Sequence, residues 1–248
     1  MANKRKRQKL FEGKTKIIFE GQDPSTLVQY FKDNTTAANN KKNEIIAGKG
    51  IINNRISAYL MEILETMGFK THFIKTLNMR EQLIKNVEIL PIEVIIRNVA
   101  AGNYCKRFGI EEGNVFDIPL VEYCYKNDEL GDPFVSEENI LHAKWLNAYE
   151  IEDIRDFALR VNDFLSGLFI GIGIKLVDFK LEFGRLMNDN GYTIILADEI
   201  SPDSCRLWDI KTSQKMDKDL FRFDLGDIKE AYSEVAKRLG VLEGEITE

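Results

Sequence analysis

Two apolar runs separated by Asn-Asp-Asn-Gly constrain this chain more than any other feature: "KLVDFKLEFG" at 175–184, the turn at 188–191, and "YTIILADEI" at 192–200. Strand-like runs around such a turn predict an antiparallel hairpin. Alternate residues of a strand share a face. Val177, Phe179, Leu181 and Phe183 are therefore expected to face a core, and Asp178, Lys180 and Glu182 to face solvent or a cleft. The second run ends in Ala197-Asp198-Glu199, which brings its acids toward those of the first. Carboxylates gathered in this way repel unless a cation or a lysine lies among them. Mg2+ suits such a place, because it takes one or two carboxylates together with substrate phosphates and water. The alternation alone equally fits a half-exposed antiparallel strand. The next loop, "DEISPDSCRLWD", adds Asp203, Arg206 and Asp209 within twelve residues. Loops held by a rigid scaffold often carry function.

Around this hairpin the chain reads as mixed. "KLFEGKTKIIFEG" predicts strand, glycine turn, strand, and "STLVQYFKDN" a further strand. In "GIINNRISAYLMEILETMGF" the residues Ile52, Ile56, Tyr59, Leu60, Ile63, Leu64 and Met67 recur at helical spacing, and Gly68 stops the helix. "KTHFIKTLN" and "EQLIKNVEILPIEVIIRNV" predict strands. "EDIRDFALRVNDFLSGLFIG" predicts an amphipathic helix with Ile154, Phe157, Ala158, Val161, Leu165, Leu168 and Phe169 on one stripe. A helix over "DIKEAYSEVAKRLGV" closes the chain. The class is α+β: a small β-rich lobe over 1–88, then a larger lobe with sheet and helices over 89–248.

Composition narrows the function. The 248 residues carry a net charge of −6, with no compositional sign of a nucleic-acid partner. No apolar run approaches the ~20 residues of a membrane span. The basic start, Lys4–Arg7, lacks an apolar segment and reads as a solvated terminus. Cys105, Cys124 and Cys205 are scattered, which suits free thiols in a reducing cytoplasm. His72 and His142 have no zinc-ligand spacing.

Two further stretches suit phosphate. "EGKTK" fails the P-loop pattern, since position 8 is Gln, and strands flank it. A glycine turn between antiparallel strands instead lies over a nucleotide in kinases. Lys14 and Lys16 share a face there; an ordinary hairpin with solvated lysines fits the same residues. "GIG" at 171–173 lacks the third glycine of a dinucleotide fingerprint. In "EVIIRNVAAGNYCKRFG" a strand and a small-residue turn precede a short helix near Asn103, with Arg97, Lys106 and Arg107 close by. A sugar phosphate suits that place, as do plain surface basics.

Together these stretches resemble the phosphoribosylaminoimidazole-succinocarboxamide synthase (SAICAR synthetase) family of purine biosynthesis. The resemblance runs through "LFEGKTKIIF", "GKGIINNRIS", "IEVIIRNVAAGNYCKRFGIEEG", "YKNDELGDP", "LVDFKLEFG", "LADEISPDSCRLWD" and "KMDKDLFR". It implies an ATP-grasp-like larger lobe and a nucleotide cleft between the lobes. It also implies ligation of L-aspartate to the carboxylate of carboxyaminoimidazole ribotide through an acyl phosphate, with ATP and Mg2+, in a cytoplasmic homodimer. Lys14, Lys16, Lys85, Ile89, Lys126, Glu182 and Asp198 would serve the nucleotide, and Glu182, Asp198 and Asp132 the metal. Arg97, Asn103, Asp178, Lys180, Asp203, Arg206 and Lys218 would serve the other substrates, with Lys180, Asp178 and Arg206 the catalytic set. Position 103 is Asn where relatives often carry a small hydroxyl residue, and Asn39-Asn40 stands where they usually show Asp-Gly. A small-molecule kinase with the same cleft, or a non-catalytic nucleotide-binding module, remains open on the sequence.

Overall fold

The structure, a computed structural model, describes residues 7–37 and 42–242. Lys4–Lys6 and the Asn39-Asn40 pair lie outside the described residues. Arg7 is ion-paired to Glu81 at 2.9 Å. One sheet has the order β1-β2-β3-β7-β6, formed by Lys9–Glu12, Lys16–Glu20, Thr26–Phe31, Glu81–Lys85 and Phe73–Thr76. Its neighbours are all antiparallel. The glycine turn between its first two strands is closed by the Gly13 N–H donating to the Lys16 carbonyl at 2.9 Å. A short pair, β4 (Asn34–Ala37) and β5 (Lys42–Ile45), then leads into helix α1, Lys49–Thr66.

The start of α1 is fixed from outside the helix. Asp33 accepts the Gly50 N–H at 2.8 Å and holds Arg80 through both carboxylate oxygens at 2.6 and 2.9 Å. A carboxylate at this end also complements the helix dipole. Gly50 is required here, because a Cβ would lie 2.5 Å from the Phe31 carbonyl oxygen. The apolar stripe of α1 is buried at Ile52, Ile56, Leu60 and Leu64, whereas Met67, just past the helix, is exposed. Lys49, Asn53, Asn54 and Ser57 are buried as well. The helix is enclosed on more than one side, and its polar groups bond to neighbouring segments, as with Asn54 Nδ2 to the Asn78 carbonyl at 3.0 Å.

The second sheet runs β10-β9-β8-β11-β12, with β13 added beside β11. Its strands are β8 (Glu88–Val99), β9 (Val115–Tyr125), β10 (Phe134–Val135), β11 (Ile174–Asn188), β12 (Gly191–Ala197) and β13 (Cys205–Asp209). The hairpin expected around the turn at 188–191 is present, with Glu182 opposite Ala197 and Asn188 opposite Gly191. The central strand β11 pairs with β8 along one edge. Along the other it pairs with β13 over its first half and β12 over its second. Helix α4, Ala148–Gly171, packs against β11. Its start is capped by a reciprocal Asn147–Glu150 box. The shorter helices are α2 (Asn103–Phe108), α3 (Glu137–His142) and α5 (Asp219–Arg222), followed by the terminal α6 (Ile228–Arg238).

One buried apolar cluster takes side chains from α1, β8, α4, β11 and α6, including Leu60, Ile92, Leu165, Phe179 and Val235. The 88/89 division falls at the entry to β8, where the chain passes from the first sheet to the second, and this cluster extends across it. The face assignment for β11 needs one correction. Phe179, Leu181 and Phe183 enter the main cluster, but Val177 packs with Val99, Ala101 and Trp208 in a separate one. The register with β13 shifts between Leu176 and Asp178, so Val177 is the extra residue of a bulge and strict alternation fails there.

Candidate functional site

A cavity of about 800 Å³ opens between the glycine turn of the first sheet and one face of the second. Its floor is β11. Asp178, Lys180 and Glu182 all line it. The segment joining β12 to β13 is pinned beside this floor, because the Lys180 N–H donates to the Ser204 carbonyl at 2.9 Å. That pairing carries Asp198, Glu199, Asp203 and Arg206 to the same cavity. From β8, on the other side of β11, come Glu93 and Arg97, with Arg97 directly opposite Asp178 in the ladder. Among the described residues eight basic and eight acidic side chains line the walls, so these are charge-balanced although the chain is acidic.

The charges interlock. Asp178 accepts from Arg97 Nη1 at 2.7 Å and from Arg206 Nη1 at 2.8 Å. Arg206 Nε also donates to Asp219 at 2.9 Å. Lys180 Nζ bridges Glu93 and Glu182, each at 2.6 Å. The second oxygen of Glu182 takes Lys126. Lys16 bonds both Asp198 and, at 2.8 Å, Glu199. Lys14 reaches from the glycine turn to Asp128 at 2.7 Å and so ties the two sheets together over the cavity. Asp203 is held by Lys49 at 2.5 Å, Asn53 at 2.9 Å and the Tyr232 hydroxyl at 2.8 Å.

These pairings set the protonation states. Burial works against the charge on Lys16 and Lys180, yet the surrounding carboxylates raise both above the ordinary lysine range. Burial likewise works against Asp198 and Asp203, but Lys16 beside the first and Lys49 beside the second hold them well below the ordinary carboxylate range. Burial raises Glu93, with Lys180 opposing. Two cysteines line the cavity: burial pushes Cys124 up to about 12 and Cys205 higher still. Neither is a thiolate near neutrality, so neither serves as an attacking sulfur.

Thirteen of the residues proposed from the sequence converge on this cavity: Lys14, Lys16, Arg97, Asn103, Lys126, Asp132, Asp178, Lys180, Glu182, Asp198, Asp203, Arg206 and Lys218. Lys85 and Ile89 are not in its walls. The Lys85 ammonium donates to the Thr71 carbonyl at 2.7 Å, and Ile89 is exposed near the start of β8. The sequence reading did not assign Glu93, Lys49, Asp219, Arg222 or Tyr232, which complete the network. A signal existed for Glu93: it and Arg97 are the charged residues of an otherwise apolar strand stretch, four apart and therefore on one face.

Among the described residues no group of three or more Asp, Glu, His or Cys side chains converges as a metal cluster. Mg2+ asks for less, since substrate phosphates complete its shell. Glu182 and Asp198 are hard oxygen donors in one cavity, and they fit that role once Lys126, Lys180 and Lys16 yield their oxygens.

A glycine turn over a cavity of paired charges, set on an antiparallel sheet with helices behind it, defines an α+β protein of the ATP-grasp-like kind. The SAICAR synthetase profile matches residues 9–239. A phosphoribosylaminoimidazole-succinocarboxamide synthase of Rhodospirillum centenum is 61% identical over 237 residues, covering 96% of this chain and 93% of that protein. The crystal structure of the corresponding synthase from Ehrlichia chaffeensis is 55% identical and superimposes with a TM-score of 0.93, covering 96% of this chain and all of that one. A SAICAR synthetase solved in complex with ADP is 42% identical, with a TM-score of 0.90, covering 95% and 99% of the two chains. The chain belongs to the SAICAR synthetase family.

Proposed function

We propose that this chain joins L-aspartate to the carboxylate of carboxyaminoimidazole ribotide, driven by ATP, in purine biosynthesis. Family membership supports the reading, as does a relative that binds ADP. The observation that carries it is the β11 floor, where Asp178, Lys180 and Glu182 present fixed, paired charges to one cavity lined by no thiolate. Such a wall suits phosphoryl transfer, which depends on positioning and charge neutralisation more than on a protein nucleophile.

A ribotide carboxylate oxygen attacks the γ-phosphorus of ATP. The bond to the bridging oxygen breaks, and ADP leaves with that electron pair. The acyl phosphate so formed is attacked at its carbonyl carbon by the unprotonated amine of aspartate. The carbon–oxygen bond to phosphate breaks, phosphate leaves, and the amine proton passes to solvent as the amide forms. In this reading the two lobes, 1–88 and 89–248, close on the substrates. Lys14, Lys16 and Lys126 meet the phosphates, while Arg97, Asn103, Asp178, Asp203 and Arg206 hold the ribotide. Lys180 neutralises the carboxylate that accepts the phosphoryl group. Glu182 and Asp198, with Asp132 near them, would hold Mg2+, which would supply charge neutralisation at the phosphate oxygens. Three free cysteines accord with a cytoplasmic setting, and a homodimer belongs to the same reading.

The test is incubation of the protein with ATP, Mg2+, the carboxylated ribotide and L-aspartate, followed by omission of each in turn. Amide product and ADP in equal amounts, with all four present, is the expected result. A stable phosphorylated ribotide formed without aspartate would replace this reading with a kinase. Nucleotide binding with no ADP formed would leave a binding module.

A further inference from the structure

Asp198 is held by its backbone as well as by its carboxylate. Its φ is 61°, in the left-handed region that residues other than glycine seldom enter. Neighbouring residues of an extended strand point to opposite faces. The left-handed turn just past β12 breaks that alternation, and the adjacent carboxylates of Asp198 and Glu199 both bond Lys16. The Asp198 carbonyl accepts from His72 Nε2 at 2.9 Å and from Gln29 Nε2 at 3.4 Å. A carbonyl only accepts, so Nε2 of His72 carries the proton. Both donors are buried and come from the first sheet: Gln29 lies on β3, and His72 directly precedes β6. The backbone around His72 is fixed in turn. Its N–H donates to the Leu196 carbonyl at 2.8 Å, and its carbonyl accepts the Lys85 N–H at 2.7 Å. The Leu196 N–H donates back to the Lys70 carbonyl at 3.0 Å.

We propose that His72 is a positioning residue for the nucleotide end of the cavity. From the first sheet it anchors the Asp198 carbonyl, keeps the left-handed turn in place, and so directs two adjacent carboxylates onto one lysine. The inference rests on the reading above that Lys16 and Asp198 serve the nucleotide. A disfavoured backbone conformation persists only where its surroundings over-determine it. Of the two donors on that carbonyl the imidazole is the closer, with Gln29 behind it at longer range. Without the anchor the turn relaxes toward the extended conformation, which carries one carboxylate of the pair away from Lys16. His72 is absent from the described residues that line the cavity, so it acts on the nucleotide through Asp198.

Three variants test the assignment: His72→Leu removes the donor, His72→Asn leaves it too short to reach, and His72→Gln keeps it at the reach of Nε2. ADP affinity is read by calorimetry with Mg2+ present, at a temperature where urea titration shows each variant folded. Loss of one hydrogen bond is expected to weaken ADP about threefold to tenfold in His72→Leu and His72→Asn, with an equal rise in the KM for ATP. The KM for L-aspartate stays within about twofold on the same grounds, and His72→Gln recovers most of the loss. A second measurement needs no ligand. Lys16, released from one carboxylate, should be acetylated severalfold faster by limiting acetic anhydride in the first two variants than in the parent protein, read by mass spectrometry. If His72→Leu does not fold, His72→Asn carries both measurements. Parent-like ADP affinity and Lys16 reactivity in a folded variant without the donor, or an equal rise in every KM, overturns the assignment. If the parent protein itself binds no ADP, the nucleotide reading of this corner falls, and Lys16 reactivity alone decides whether His72 sets the carboxylate pair.

Discussion

Lys49 and Asp203 show how a single residue can serve fold and site together. Lys49 is fully buried, and among the described residues it pairs with Asp203 at the cavity wall. Removing one member of such a pair strands the other in a poorly solvating interior. Lys49→Met is therefore expected to lower stability by about 3–5 kcal/mol, measured by urea denaturation, while the double variant with Asp203→Asn regains part of that loss. Lys180 bridges two acids that repel without it, so Lys180→Met should lose about tenfold to a hundredfold in kcat/KM. Asp217 makes a pH prediction. Burial, with Asp219 adding to it, pushes this carboxyl up from 3.8 to about 7. The folded state therefore binds its proton more tightly than the unfolded chain does. Its stabilising contribution is full below 3.8 and disappears as the pH rises through about 7. Urea midpoints measured at pH 5.5 and 8 should differ less in Asp217→Asn than in the parent.

At the scale of elements, the hairpin and the two long helices were legible because their signals are local. The Asn-Asp-Asn-Gly turn sits between its own strands, and the stripe of α4 lies within one segment. The bulge at Val177 was not legible, because the register with β13 creates it and the residue type does not announce it. The convergence of β8 and the 198–206 loop on β11 was only half legible. Charged residues in apolar strands marked the participants, but Lys49 and Asp203 meet across 154 positions of sequence. Lys85 and Ile89 show the converse: they rest on the family resemblance alone, and the Lys85 ammonium is bonded to the Thr71 carbonyl while Ile89 is exposed near the start of β8. The turn before α2 offers an element-scale test. Gly102 has φ 59°, and a Cβ there would lie 2.3 Å from the Arg206 guanidinium, which Asp178 and Asp219 already hold. Gly102→Ala is expected to raise the KM for the ribotide several-fold with little change in that for ATP. An unchanged ribotide KM would show that Arg206 is free to move aside.

Across the whole molecule, the site exists because the glycine turn of the first sheet and the β11 face of the second line one cavity, and Lys14 to Asp128 is a direct tie across it. The shared apolar cluster makes the base of this arrangement continuous, and the glycine turn is its outer edge. The matched wall, eight cations and eight acids among the described residues, carries a thermodynamic corollary. A surface already neutralised from within gathers few mobile ions from the buffer, so nucleotide capture has few to shed. Each phosphate instead displaces an internal carboxylate, an exchange of partners inside the protein that bulk electrolyte screens poorly. A plot of log affinity for ADP against log KCl concentration, taken by calorimetry, should accordingly be shallow, where an open basic groove would give a steep decline.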